Sequence, residues 1–206
     1  MKILFLSRFQ NSINRGAEVF VSELSKRLRE KHQVDIFTGS DSDSPSKVLS
    51  GNYDVVIPIN GGSQSLKVSI GRLFKGYKVI ISGQAGIGKG EIWNIVVSRP
   101  DIYIALTDYM AGWAKKWAFG TKVVKIPNGV DLSKFKPEGE KIDLKLQKPI
   151  ILSVGALSWY KHHEKVIDAM YYLDKGSLLL VGKGKQKNYL EERGKKMLGK
   201  RFKIKS

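Results

Sequence analysis

The chain has 206 residues, 42% of them hydrophobic, enough for one large or two small domains with a sizeable core, which argues against global disorder. It contains no cysteine, which excludes disulfides and thiolate metal sites and fits a cytosolic protein. Thirty-six basic against 19 acidic side chains give a formal net charge of +17, a field that suits an anionic partner such as nucleic acid, an anionic membrane surface or a phosphorylated ligand.

The N-terminal run Met1–Arg8 is too short in its apolar part for a signal peptide and reads as a first strand over Ile3–Leu6. No segment approaches the roughly 18 apolar residues of a membrane span. Ala17, Phe20, Val21, Leu24 and Leu28 recur at helical spacing, with Lys26, Arg27, Arg29, Glu30 and Lys31 largely opposite them. The turn before that helix includes Asn14-Arg15-Gly16-Ala17-Glu18. Backbone N–H groups at such a helix start can hold an anion, and Gly16 allows close approach. Val34–Thr38 reads as a second strand. Residues 41–50, rich in Ser and Asp, read as a mobile loop.

Asp54–Ile59 and Lys78–Ser82 are further expected strands, with a helix over Ser63–Phe74 between them. Gly83-Gln-Ala-Gly-Ile-Gly88-Lys89-Gly90 then matches the Gly-x4-Gly-Lys of a phosphate-binding loop. The next residue should be Ser or Thr to hold Mg²⁺, and here it is Gly90. Asp101–Leu106 and Val123–Ile126 complete the first set of strands, separated by a helix over Asp108–Trp117. On that helix Met110, Trp113, Ala114 and Trp117 share a face, read as a core stripe, with membrane seating beside Lys115 and Lys116 as the alternative.

The pattern restarts after a polar stretch. Ile150–Val154 and Leu178–Val181 read as strands, Glu164–Leu173 and Asn188–Leu198 as helices, and Phe202–Ile204 as a short strand. Val166, Ile167, Met170 and Leu173 are expected to face inward. His162-His163 lacks surrounding carboxylates or cysteines, so no metal site is read there. Alternating strands and helices imply parallel sheets with right-handed crossovers. The expected fold is therefore α/β: a doubly wound, Rossmann-like N-terminal domain over 1–135, a linker over 136–148, and the first part of a second Rossmann-like domain over 149–206. Residues 1–149 carry a net +9 and residues 150–206 a net +8, so the second part is far more basic per residue.

The stretch Ile126-Pro-Asn-Gly-Val-Asp-Leu-Ser-Lys-Phe-Lys-Pro137 closely resembles the interdomain junction of the retaining, nucleotide-sugar-dependent glycosyltransferases of family 4, which have the two-domain GT-B architecture. Further matches follow in the family's order along the chain. The resemblance implies transfer of a sugar from a nucleoside-diphosphate sugar to an acceptor hydroxyl, with no further cofactor and no metal. It implies donor contacts from Arg15, Gly16, Gly155, Lys161, Gly182 and Gly184, and acceptor contacts from Gln84, Lys89, Trp93 and Asn94; no catalytic residue is assigned. The glycan or lipid-linked acceptor would be met by a cytoplasmic protein, peripheral at an anionic inner membrane face, and nucleic acid is not the expected partner.

Three positions depart from the family pattern. Arg15 stands where a first glycine is usual, Gly83-Gln84 where many members place a histidine, and Ala156 where a phosphate-binding arginine is usual. Members also continue for well over a hundred residues past the position of Ser206, through a Glu-x7-Glu motif. The resemblance thus implies an incomplete second domain, with exposed apolar sheet, self-association, and weak or no turnover by this chain alone. Two other readings stand beside it: a non-enzymatic α/β module holding an anionic ligand or nucleic acid, and a P-loop-like NTPase acting through Lys89.

Overall fold

The computed structural model describes residues 1–12, 16–84, 86–140 and 142–206, and divides the chain into two units, Met1–Phe135 and Lys136–Ser206. The first holds six parallel strands: β1 Lys2–Leu6, β2 Gln33–Phe37, β3 Val55–Pro58, β4 Lys78–Ser82, β5 Ile102–Ala105 and β6 Lys122–Lys125. Their order is β2-β1-β3-β4-β5-β6. Helices α1 (Gly16–Leu28), α2 (Pro45–Ser50), α3 (Gly62–Lys75), α4 (Lys89–Ile92, running on as a π-turn over Trp93–Val97) and α5 (Asp108–Lys115) connect them.

The apolar run in β1 is continuous because both faces of the sheet are covered. Ile3 and Phe5 pack with Val21 of α1, while Leu4 and Leu6 join Val56, Val79, Ile81, Ile95, Tyr103 and Met110 on the other face. Each such fully buried side chain is worth roughly 2 kcal/mol over exposure. All four residues Ile3–Leu6 are buried, which suits an interior position between β2 and β3. Helix ends follow the expected chemistry. The Thr107 hydroxyl accepts from the Met110 N–H at 3.1 Å to start α5. Gly76, in the left-handed region, closes α3 by donating its N–H to Arg72 O at 2.7 Å.

The 41–50 stretch is helical rather than a loop. A 3₁₀ turn covers Gly39–Asp43, and α2 starts at Pro45, whose fixed φ suits a first helical position. Val48 buries its side chain, and Arg8 grips Asp43 through two bonds of 2.6 and 2.7 Å. Serine and aspartate here brace short helices, Ser42 Oγ donating to Gly39 O at 2.7 Å and Asp41 Oδ1 accepting from Lys47 Nζ at 2.6 Å, the other use of turn-forming residues. The stripe on α5 is split. Met110 and Ala114 are buried and Trp113 packs against the core, but Trp117 lies past the helix end and is exposed.

In the second unit β7 (Ile150–Val154), β8 (Ser177–Val181) and β9 (Phe202–Lys205) form a parallel sheet in chain order. Helices α6 (His163–Tyr171) and α7 (Lys187–Leu198) supply Ile167, Met170, Leu190 and Leu198 to one core with Leu178, Leu180 and Phe202. Strands added in one direction with right-handed crossovers put both helices on one face. Of the inward set expected on α6, Leu173 is exposed because the helix ends at Tyr171. On β7, Leu152 and Val154 are exposed. Among the described residues of 136–148 there is no helix or strand.

Candidate functional site

The strand order reverses at β1. The chain leaves β1 for β2 on one side and returns to β3 on the other, so the connections diverge and open a crevice at the carboxyl ends of the strands, where α/β sheets bind ligands. Arg8 N–H donates to Asn60 Oδ1 at 2.7 Å, tying the ends of β1 and β3 together. Asn60 N–H donates to Gln64 Oε1 at 3.1 Å, and Gly62 N–H to Asn94 Oδ1 at 2.9 Å, fixing the start of α3 against the α4 segment.

The resulting crevice has a volume of about 650 Å³ and takes its wall from α1, β3, β4 and the glycine loop after β4. Gly16, Gln84, Trp93 and Asn94 all line it, as do Asn60, Glu91 and Asn128. Trp93 is 45% exposed, whereas Asn94 is buried. Four amide side chains and one open indole make a surface able to pair in both donor and acceptor sense and to stack on an apolar ring face.

Gln84 is already engaged. Its Nε2 donates to Asn128 Oδ1 and Asn128 Nδ2 donates back to Gln84 Oε1, both at 3.1 Å, with a further bond from Gln84 Nε2 to Ser82 Oγ. This reciprocal pair joins the loop after β4 to the Asn128-Gly129 turn. Lys89 is exposed and does not line the crevice, so the structure does not bring it together with Gln84, Trp93 and Asn94. Arg15 lies outside the described residues.

Glu91 carries no role in the sequence reading. It is 6% exposed, and Tyr103 OH donates to its Oε2 at 2.8 Å. Burial pushes the Glu91 carboxyl above the usual carboxylate range, against the hydrogen bonds from Tyr103 and Asn94. Burial and the neighbouring Glu91 push the Tyr103 phenol up as well. Among the described residues Glu91 is the one carboxylate on the crevice wall. Asn60 was legible in principle: it stands just past β3 at the carboxyl edge of the sheet. Glu91 was hidden behind the phosphate-loop match that precedes it.

In the second unit Gly155, Lys161, Gly182 and Gly184 come together at the carboxyl end of the three-stranded sheet. The loops after β7 and β8 run on side by side: Gly155 N–H donates to Val181 O at 3.0 Å and Leu157 N–H to Lys183 O at 2.9 Å. A Cβ on Gly182 would collide with Gly155 O, and one on Gly184 with Leu157 O, so both glycines are required for this approach. The Lys161 stem passes Gly155, its Cδ 4.0 Å from where a Cβ would stand, and its side chain is exposed. His163 is buried and holds the loop: Nε2 donates to Ala156 O at 3.2 Å, which leaves Nδ1 to accept from Ser153 Oγ at 3.0 Å.

No protein-family model and no curated protein matches the chain by sequence. Solved structures do match in fold. The apo form of the lipopolysaccharide outer core galactosyltransferase WaaB aligns over 99% of this chain and 67% of its own, at TM-score 0.67 and 12% identity. A protein of Listeria monocytogenes assigned as a UDP-N-acetylglucosamine 2-epimerase aligns over 98% and 68%, at TM-score 0.59 and 12% identity. S. aureus MnaA, in a co-structure with UDP, aligns over 98% and 67%, at TM-score 0.57 and 13% identity. The chain spans about two thirds of the length of these proteins. The architecture is α/β and Rossmann-like, of the GT-B class, with six strands in the first sheet and three in the second.

Proposed function

We propose that this chain belongs to a glycosyltransferase that moves a sugar from a nucleoside-diphosphate sugar to the hydroxyl of a glycan or lipid-linked acceptor. The observation that carries the reading is the crevice of Asn60, Asn94 and Asn128 amides around the open Trp93 indole, a surface with the chemistry of sugar recognition. The first unit takes the acceptor and the second the donor, where Lys161 and the crossed glycine loops meet the diphosphate. In the transfer the bond from the anomeric carbon to the diphosphate oxygen breaks and its electron pair leaves with the nucleoside diphosphate. A bond from the anomeric carbon to the acceptor oxygen replaces it, and the proton of the acceptor hydroxyl passes to the departing diphosphate oxygen. Lys161 stabilises the charge on the leaving group. Glu91 accepts a hydrogen bond from the acceptor hydroxyl and orients it.

The family resemblance makes the transfer retaining and requires no metal. The chain's junction motif, Asn128-Gly129 included, supports membership of family 4. Nothing in the site favours the NTPase reading, since Lys89 does not line the crevice and is followed by Gly90.

The test is release of nucleoside diphosphate from a panel of nucleoside-diphosphate sugars with simple glycoside acceptors, with the product anomer read by NMR. Acceptor-dependent release with the anomeric configuration kept supports the reading. Absence of both release and donor binding across the panel overturns it. Glu91→Gln should lower turnover by about 10–100-fold while donor binding is kept.

A further inference from the structure

Two large aromatic side chains of the second unit stand open beside its crossed loops. The 3₁₀ turn Trp159–Lys161 follows β7 and buries none of its three residues. Trp159 is 63% exposed and Tyr160 70%. A turn this short gains little packing from two rings, and exposed apolar surface of that size points to something that covers it.

Trp159 is nonetheless held in place. Its ring lies 5.3 Å from that of Tyr189, in the first turn of α7, at an interplanar angle of 42°. Gln186 N–H donates to Leu157 O at 3.0 Å, which joins the loop before Trp159 to the loop before Tyr189. His162 ends the turn in the left-handed region at φ 53°, an uncommon conformation for a residue with a Cβ, and the buried His163 ring then ties the chain back to Ala156 O. The indole is therefore a stacking surface whose position is fixed before a ligand arrives.

The same loops carry charge of one sign. Residues 155–161 and 182–187 include Lys161, Lys183, Lys185 and Lys187 and no carboxylate. All four lysines are exposed, and none forms an ion pair among the described residues. The neighbouring acids are engaged elsewhere: Glu191 accepts from Lys195 at 2.8 Å, and Glu164 faces His162 at 3.3 Å. Lys161 Nζ lies 5.8 Å from the centre of the Tyr160 ring. Trp159 and Lys161 are two residues apart, so their Cα atoms lie within about 7 Å. An open indole and an unpaired ammonium at that spacing suit a ligand that joins a flat ring to phosphate, as a nucleotide does.

We infer that Trp159, backed by Tyr189, stacks on the nucleobase of the bound nucleoside diphosphate while Lys161 meets its phosphates. The inference rests on the donor assignment of the second unit and adds a residue to it: Trp159 makes the unit prefer a nucleotide to a bare diphosphate. Stacking reads a π face and not a hydrogen-bonding edge, so Trp159 supplies affinity for the base without choosing among bases.

Calorimetric titration of the full chain with UDP, ADP, GDP and inorganic pyrophosphate tests this. The parent should bind at least one of the nucleotides fivefold or more tighter than pyrophosphate. Trp159→Ala should lose at least fivefold for that nucleotide, with pyrophosphate affinity and melting temperature unchanged, because the side chain is mostly exposed. Trp159→Phe, which keeps a ring, should recover most of the loss, and Lys161→Ala should weaken nucleotide and pyrophosphate alike. Parental nucleotide affinity in Trp159→Ala, or an equal loss for pyrophosphate, would overturn the inference and leave the donor assignment standing. Binding of neither nucleotide nor pyrophosphate by the parent would overturn the donor assignment itself, and the inference with it.

Discussion

Gly182 and Gly184 show how one atom decides a loop. Both have positive φ, and both lie where a Cβ would strike a backbone carbonyl of the neighbouring loop, which cannot swing away as a side-chain tip can. Gly182→Ala or Gly184→Ala should each destabilise the second unit by about 3 kcal/mol, read by chemical denaturation. Gly88→Ala is the control, since its backbone is extended and nothing stands within 4 Å of the added carbon. Glu91 supplies a prediction in pH. Its carboxyl is raised in the folded protein, so folding binds a proton between its ordinary value of 4.5 and the higher folded value. Stability should therefore fall as pH rises through that window. Glu91→Gln keeps an acceptor for the Tyr103 hydroxyl and should flatten the fall, followed as melting temperature against pH. Asp43 has the opposite sign. The hydrogen bond from Arg8 lowers its pKa, so its contribution is full above the ordinary 3.8 and is lost as pH falls through the folded value. The glycines were legible in the sequence as a strand followed by Gly-Lys-Gly. The collision that makes them necessary was not, because it depends on a loop almost thirty residues away. Glu91 was illegible for a related reason: its partner Tyr103 reads as an ordinary strand aromatic.

Elements with a strong apolar period were read almost to the residue. β4 and β7 span Lys78–Ser82 and Ile150–Val154 in the structure as in the sequence, and α3 differs by one residue at each end. Such runs bury enough surface to fix their own limits. Short elements held by one or two contacts were missed. The Gly39–Asp43 turn and α2 depend on the Arg8–Asp43 pair and on Val48, and neither contact is local in sequence. Arg8→Ala should loosen this segment by about 1 kcal/mol or less, visible as faster hydrogen exchange over residues 39–50. The π-turn over Trp93–Val97 has no sequence signature, yet it sets Trp93 outward and Asn94 inward on the crevice wall. Thr107 is a simpler case. As the N-cap of α5 it should cost about 1 kcal/mol when replaced by alanine, read by thermal melting.

At the scale of the molecule, two units with separate cores share one chain. Residues 1–135 hold two apolar clusters on the two faces of a six-stranded sheet, and residues 136–206 hold one cluster on one face of a three-stranded sheet. The smaller core should melt first, and a protease should cut within residues 136–148, whose described residues are mostly exposed. The order of elements, the return of the strand–helix pattern after Pro149 and the glycine turns were all available to reading. The distribution of roles within the first unit needed coordinates, because the crevice gathers residues from positions 16 to 128. The central claim, that the second unit grips a nucleoside diphosphate through Lys161 and its glycine loops, is tested most directly by calorimetric titration of UDP into the parent chain, Lys161→Ala and Lys89→Ala. The account predicts binding by the parent, a loss of tenfold or more in Lys161→Ala, and parental affinity in Lys89→Ala. No binding by the parent, or a loss confined to Lys89→Ala, would contradict it.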